Sequence, residues 1–186
     1  MGTLGYAAMF EQFHPTELLR WSRQAEDAGF GAIMASDHFQ PWTPQQGQAG
    51  FVWSWLGALG ATTSRVTFGT GVTAPGFRYH PAILAQASAT LAAMYPGRFW
   101  LGIGAGEALN EHIVGKYWPE APTRLNLLGE SVEVIRQLFS GKHGELWDRA
   151  FEDQMHRASC LHLIMAAIAA WNTASSFAGG ITNCSR

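Results

Sequence analysis

Short apolar runs alternate with amphipathic helical segments along most of this chain, and that alternation leaves few folds open. The apolar runs have the length of strands and lie at 4–9, 31–36, 65–72 and 98–104. Helical segments between and after them are predicted from Pro15, over 51–62, over 81–94 and over 123–139. Continuous apolar runs are typical of parallel strands that are covered on both faces. Four strand–helix units in succession therefore predict a parallel sheet with right-handed crossovers.

Parallel sheets of this kind occur as open doubly wound sheets or as closed (β/α)8 barrels. A dinucleotide-binding open sheet has a glycine-rich turn after its first strand, but residues 10–13 here contain no glycine. The glycine-rich stretch 102–107 follows the fourth strand and has Glu107 where the fingerprint requires its last glycine. We therefore reject the dinucleotide-binding motif.

Composition indicates one folded unit and a small-molecule partner. The 186 residues are 47% hydrophobic and 12% aromatic, which excludes a disordered chain or a coiled coil. A net charge of −2 gives no electrostatic basis for binding nucleic acid or an anionic membrane. Cys160 and Cys184 form no disulfide framework, and no secretory signal or transmembrane stretch is predicted. The sequence thus predicts a cytoplasmic protein.

Polar residues concentrate where the predicted strands end. The segment 37–42 follows the second strand, Gly71-Val72-Thr73 closes the third, and Glu107, Asn110 and Glu111 follow the fourth. In a (β/α)8 barrel these positions share the C-terminal face, where the loops after the strands build the active site. The sequence therefore predicts a site at this face. No spacing typical of a metal centre occurs, so no metal is predicted.

Three motifs give the sequence a specific resemblance. They are SDHFQPW at 36–42, FRYHPA at 77–82 and GEALNEH at 106–112, in this order. With them, residues 4–142 resemble the luciferase-like (β/α)8 superfamily, in particular the branch that uses the deazaflavin coenzyme F420. The best-known members of that branch are the F420-dependent glucose-6-phosphate dehydrogenases. The resemblance implies a luciferase-like TIM barrel and adds the identity of the coenzyme, which spacing alone does not give.

The resemblance also assigns roles to individual residues. It implies that His38 acts on the substrate hydroxyl, that Trp42 walls the reacting centre and that Glu107 is an acid or proton carrier. Asp37 would help to anchor the deazaflavin, with Asn110 hydrogen-bonding nearby. These residue types suit the chemistry, because oxidising an alcohol by hydride loss requires a base for the hydroxyl proton. Two structural alternatives stay open: His38 as an ordinary loop histidine, and Glu107 as a carboxylate at a helix start.

Further coenzyme contacts are implied at the ends of the third and fourth strands, at Gly71, Val72, Thr73, Ala105 and Gly106. The resemblance also implies a cis peptide bond between Gly71 and Val72, although neither residue is a proline. Ala74 and Ala105 stand where the glucose-6-phosphate dehydrogenases have threonines that touch the coenzyme. This difference bears on the substrate more than on the coenzyme.

Three functions follow as hypotheses. The first is an F420-dependent oxidoreductase that transfers a hydride between a small alcohol or sugar phosphate and the coenzyme. The second is an FMN-dependent monooxygenase of the same superfamily, and the third is an inactive half-barrel without catalysis.

Length sets one more expectation. A complete barrel has about 250 residues, whereas the resemblance ends near residue 142. We expect residues 1–142 to form the N-terminal half of the barrel, about four βα units. We expect 143–186 to be an atypical tail from a truncated or frameshifted gene. The resemblance implies a homodimer for full-length members, and it places the cations that hold a phosphorylated substrate in the second half.

Overall fold

The computed structural model describes residues 2–140 and the backbone of residues 162–165. One sheet contains five parallel strands in chain order: β1 (Gly5–Ala8), β2 (Ala32–Ala35), β3 (Thr67–Thr70), β4 (Phe99–Ile103) and β5 (His162–Met165). The helices are α1 (Pro15–Asp27), α2 (Val52–Thr62), α3 (Pro81–Met94), α4 (Ala108–Glu111) and α5 (Ala121–Phe139), with a 3₁₀ turn at His112–Val114. This strand order is that of a half barrel, as predicted.

The fifth strand is the main difference from the predicted fold. β5 lies within the segment 143–186, where the sequence predicted no strand, and it pairs in parallel with β4. Periodicity missed it because a four-residue run followed by many alanines reads equally well as part of a helix. The expectations for the rest of that segment lie outside the described residues.

Two of the long helices begin in the same way. In α1 the Nδ1 atom of His14 accepts a hydrogen bond from the backbone N–H of Thr16, and Pro15 is the first helical residue. In α3, His80 and Pro81 repeat this arrangement. Proline is favoured at the first helical position because its φ angle is already helical and it has no N–H to leave unpaired. These starts confirm the predicted positions of both helices.

The two faces of the sheet differ in burial. On the face covered by the helices, Ile33, Phe68 and Leu101 are fully buried and form the centre of the hydrophobic core. Met34, on the opposite face, is 42% exposed. Gly69 is paired with Trp100 on β4, whose ring is close above it.

A buried carboxylate joins α1 to β3. Glu26, in the last turns of α1, accepts hydrogen bonds from the backbone N–H groups of Ser64, Arg65 and Val66. Burial alone would raise the pKa of this carboxyl, but the three N–H donors and the charge of Arg65 outweigh burial and lower it. Glu26 therefore stays ionised and fixes the point where β3 begins.

Helices α4 and α5 follow β4. The sequence predicted α5 from about residue 123, two residues after its observed start, and its buried residues include Leu128, Val132 and Ile135. Helix α4 has four residues and was not predicted, because one turn is too short to show a period. Within the described residues, none of the helices combines the length and hydropathy that crossing a bilayer requires.

Candidate active site

The predicted functional residues lie at the carboxyl ends of β2, β3 and β4, on one edge of the sheet. Parallel pairing puts the three strand ends side by side, so the segments 36–42, 71–74 and 104–111 are neighbours. Contacts between these segments join residues that are up to 71 positions apart in the sequence. The structure therefore brings together side chains from the separate loops that the sequence placed at one face.

His38 lies between two carboxylates. Its Nδ1 atom contacts Oε1 of Glu11, and its Nε2 atom is 3.3 Å from Oε1 of Glu107. The ring of Trp42 meets the imidazole edge to face, with 5.2 Å between ring centroids. The His38 side chain is 20% exposed, so it is held by the protein and is still open to a small molecule. A loop histidine with backbone partners would not have this environment.

Glu11 is a site residue that sequence reasoning missed. It is 3% exposed and follows β1, as the other site residues follow their strands. Burial would raise the pKa of its carboxyl, but hydrogen bonds from His38 and Ser36 outweigh burial and hold the pKa below its usual value. Its position just after the first strand is the sequence signal that identifies it.

Glu107 stands at the N-terminal end of α4, but its side chain does not cap that helix. Its Oε1 atom accepts a hydrogen bond of 2.5 Å from the amide Nδ2 of Asn110 and faces His38. The side chain is 33% exposed. Its observed partners are thus site residues and not the backbone N–H groups of a helix start.

Asn110 holds the loop that contains His38. Its amide oxygen accepts hydrogen bonds from the backbone N–H groups of Phe39 and Gln40, at 2.7 and 3.1 Å. Asn110 is 2% exposed, and both ends of its amide are used inside the protein. Its hydrogen bonds position Glu107 and the residues that follow His38.

Asp37 lies beneath the site and is 4% exposed. Its Oδ2 atom accepts a hydrogen bond of 2.7 Å from the hydroxyl of Thr73, which is itself fully buried. Its Oδ1 atom accepts one of 3.0 Å from the hydroxyl of Tyr79, and Arg78 is also close. Burial and the charge of Asp37 raise the pKa of the Tyr79 phenol, so that hydroxyl remains a donor. Both carboxylate oxygens of Asp37 therefore have partners within the chain.

The backbone at the end of β3 has the predicted special geometry. The peptide bond between Gly71 and Val72 is cis, which confirms the expectation from the sequence. After β4, Gly106 has a positive φ of 75°, and a Cβ atom added to it would be 3.0 Å from the Cβ of Ala74. The chain segments after β3 and β4 thus come very close together, and glycine suits position 106 in both conformation and size.

The residues predicted to contact a coenzyme divide into two groups. Partly exposed residues at the surface of the site are Gly71, Val72, Ala105 and Gly106. Buried residues beneath them are Asp37, Thr73 and Asn110. Among the described residues, no group of three or more His, Cys, Asp or Glu side chains could hold a metal ion. The exposed part of the site therefore consists of an imidazole, an indole, a carboxyl and a small-residue surface.

Known proteins resemble this chain in sequence and in fold. The family model described as Luciferase-like monooxygenase matches residues 2–170. F420-dependent glucose-6-phosphate dehydrogenases from Microbacterium testaceum and Segniliparus rotundus are 52% and 54% identical to it over 138 residues. Each alignment covers 74% of this chain and 41% of the relative. The chain thus spans less than half the length of these relatives.

Solved structures of F420-dependent enzymes also match this chain. An F420-dependent secondary alcohol dehydrogenase in complex with an F420-acetone adduct matches with a TM-score of 0.78 and 37% identity. The match covers 88% of this chain and 51% of that one. The coenzyme F420-dependent tetrahydromethanopterin reductase from Methanopyrus kandleri has a TM-score of 0.64 at 22% identity, with 88% of this chain and 49% of that one covered. At that identity the second match indicates the fold alone.

Proposed function

Because the chain belongs to the luciferase-like monooxygenase family, we propose that it contains the catalytic residues of an F420-dependent oxidoreductase. The proposed reaction moves a hydride between a small alcohol or sugar phosphate and the deazaflavin. The observation that supports it best is the partly open His38, with Glu11 on one ring nitrogen and Glu107 on the other. The names of the relatives at 50% identity and above support the coenzyme.

The residues at the site fit a deazaflavin in two respects. Gly71 and Gly106 place no side chain on the partly exposed surface beside His38, which suits a flat ring. An imidazole and a carboxyl at the edge of that surface can handle the protons of an alcohol oxidation. The coenzyme, when bound, would supply the hydride acceptor. We propose that Gly71, Val72, Ala105 and Gly106 would hold its ring.

The proton path follows from the two contacts of His38. With Nδ1–H directed to Glu11, Nε2 is the nitrogen that can accept the proton of the substrate hydroxyl. Glu11 fixes the ring orientation, because its pKa is lowered and it remains a carboxylate in contact with Nδ1. Glu107, 3.3 Å from Nε2, is placed to carry the proton. Trp42 would exclude water from one side of the reacting carbon.

Asp37, Thr73 and Asn110 have a different part in this proposal. Their polar groups already bond to one another or to the loops, so we propose that they support the coenzyme site from below. This differs from the direct anchoring by Asp37 that the resemblance implies.

FMN is the alternative coenzyme. The FMN-bound 3,6-diketocamphane monooxygenase component has a TM-score of 0.66 but only 17% identity, and it therefore supports the fold and not the cofactor. The remaining hypothesis, an inactive half-barrel, is separated from the first by the turnover measurement described below. For the substrate we propose no group more specific than an alcohol. Arg78, the arginine at this site, is buried between two carboxylates. That arginine is therefore not free to hold a substrate phosphate.

The domain boundary, the location and the assembly of the chain are also part of this proposal. We propose the boundary at residue 142 between the half-barrel and the following segment, with β5 added to the sheet from that segment. A small-molecule substrate agrees with the near-neutral net charge, and a cytoplasmic location agrees with the few cysteines. Pairing of two full-length copies is proposed from the family resemblance alone. No role with nucleic acid is proposed.

The test is turnover by the purified chain with each coenzyme. We expect F420 to be reduced in the presence of a secondary alcohol or glucose 6-phosphate, measured as the loss of its visible absorbance. We expect FMN, at the same concentration, to be neither bound nor reduced. Binding of F420 without turnover would favour the inactive half-barrel. Reduction of FMN but not of F420 would contradict the proposed coenzyme.

A further inference from the structure

A buried arginine lies behind the site, and the proposed reaction makes no direct use of it. The Arg78 side chain is 8% exposed. Its Nε atom donates a hydrogen bond of 3.0 Å to Glu111, and its Nη1 atom is 3.4 Å from the carboxylate of Asp37. The backbone N–H of Arg78 donates to the other oxygen of Glu111, at 3.2 Å. One cation is thus enclosed by two buried carboxylates.

Stability alone does not account for this cluster. Burying a charge is costly, and a buried ion pair is on balance no more stabilising than apolar side chains of similar size. Burial raises the pKa of Glu111, while the charge of Arg78 opposes that rise. The cluster also connects two segments of the site, because Asp37 follows β2 and Glu111 belongs to α4.

Arg78 holds the chain on one side of His38. Its Nη2 atom donates a hydrogen bond of 2.7 Å to the main-chain carbonyl of Asp37, the residue that precedes His38. On the other side of His38, the N–H groups of Phe39 and Gln40 bond to Asn110. The backbone is therefore held immediately before and immediately after the imidazole.

The hydrogen bonds on both sides of His38 connect its loop to helix α4. Asn110 and Glu111 are adjacent in α4, and Glu107 stands at the start of that helix. Asn110 bonds to Glu107, and Glu111 bonds to Arg78. Arg78 thus connects Asp37, which precedes His38, to α4, which begins after Glu107. These contacts fix the distance between His38 and Glu107.

We propose that Arg78 is a positioning residue, which sets the separation of the His38 imidazole from the Glu107 carboxyl through Asp37 and Glu111. Lysine cannot replace it. The nitrogens of the planar guanidinium point toward two carboxylates and a carbonyl, whereas an ammonium group has one nitrogen and cannot reach all three. The kinetic consequence rests on the proposed function. The structural consequence, a fixed loop around His38, does not.

Arg78→Lys is the variant that tests this role. We expect kcat to fall by about 10–100-fold, because small displacements of catalytic groups have effects of that order. We expect the KM for F420 to change less than about threefold, since Arg78 does not reach the exposed surface, and a loss confined to KM would contradict positioning. Arg20→Met is the matched control, because the Arg20 side chain is 61% exposed and distant from the site. It should leave both constants unchanged.

Hydrogen–deuterium exchange of the same variants gives a readout without coenzyme or substrate. In Arg78→Lys we expect peptides covering 37–42 and 107–111 to exchange at least about tenfold faster than in the wild type. Peptides of α2 should exchange at the wild-type rate. Unchanged exchange at 37–42, or an equal increase in α2, would overturn the proposal in favour of a purely structural ion pair.

A second variant covers the case in which Arg78→Lys does not fold. Glu111→Gln keeps an oxygen to accept from Arg78 but removes the charge, and we expect a smaller change of the same pattern. A wild-type chain without F420 turnover would contradict the proposed function. The exchange comparison would still decide the positioning role.

Discussion

His38→Ala is expected to lower kcat for F420 reduction by about 10²–10⁴-fold, the usual loss when a general base is removed. The reason is local. Nε2 of His38 is the ring nitrogen left to accept the hydroxyl proton, because Nδ1 contacts the Glu11 carboxylate. The affinity for the coenzyme, measured by fluorescence titration, should change less than about threefold, because the imidazole acts on the substrate.

His112→Ala is the matched control for this substitution. His112 is exposed and lies at the end of α4, a few residues from the site. Its removal should leave kcat within about twofold of the wild type. If His38→Ala retained wild-type turnover, the proton path through Nε2 would be wrong, whatever the identity of the coenzyme.

Gly69→Ala is expected to destabilise the fold by about 3 kcal/mol, the upper part of the usual range for overpacking. A Cβ atom at position 69 would lie 1.9 Å from the carbonyl oxygen of Trp100 and 2.5 Å from its ring. The carbonyl belongs to the paired strand β4, so it cannot move without separating β3 from β4. The measurement is the free energy of unfolding from urea denaturation.

Gly129→Ala provides the comparison. Gly129 lies inside α5, and a Cβ atom there would meet no atom within 4 Å. Alanine is favoured over glycine in a helix by about 1 kcal/mol, so this variant should be more stable than the wild type. Equal stability of the two variants would contradict the close approach of β3 and β4.

The sequence predicts most of the helices because their ends have local causes. Helix α3 has the predicted limits, Pro81–Met94, since a proline starts it and Tyr95-Pro96-Gly97 ends it. Strand β5 has no such signals, and its pairing with β4 spans about sixty residues of chain. Local pattern cannot predict that pairing, which depends on the rest of the sheet.

The site was predictable as a location but not as an arrangement. Strand ends and three motifs placed His38, Trp42 and Glu107 at one edge, and the structure brings these side chains together. The direction of a side chain at a strand end is not encoded in the spacing. The resemblance implies that Asp37 and Asn110 contact the coenzyme, and the structure places both beneath the exposed surface of the site. The contact of Glu11 with His38 and the ion pairs of Arg78 were not predicted, because they depend on how separate loops pack together.

A coenzyme site at one edge of the sheet is tested by mapping where F420 binds the purified chain, using hydrogen–deuterium exchange with and without saturating coenzyme. We expect slower exchange in peptides covering 36–42, 71–75 and 104–111, and no change in α5. FMN at the same concentration should protect none of them. Protection outside these three segments alone, or saturable F420 binding that leaves them unchanged, would contradict a coenzyme site at the carboxyl ends of β2, β3 and β4.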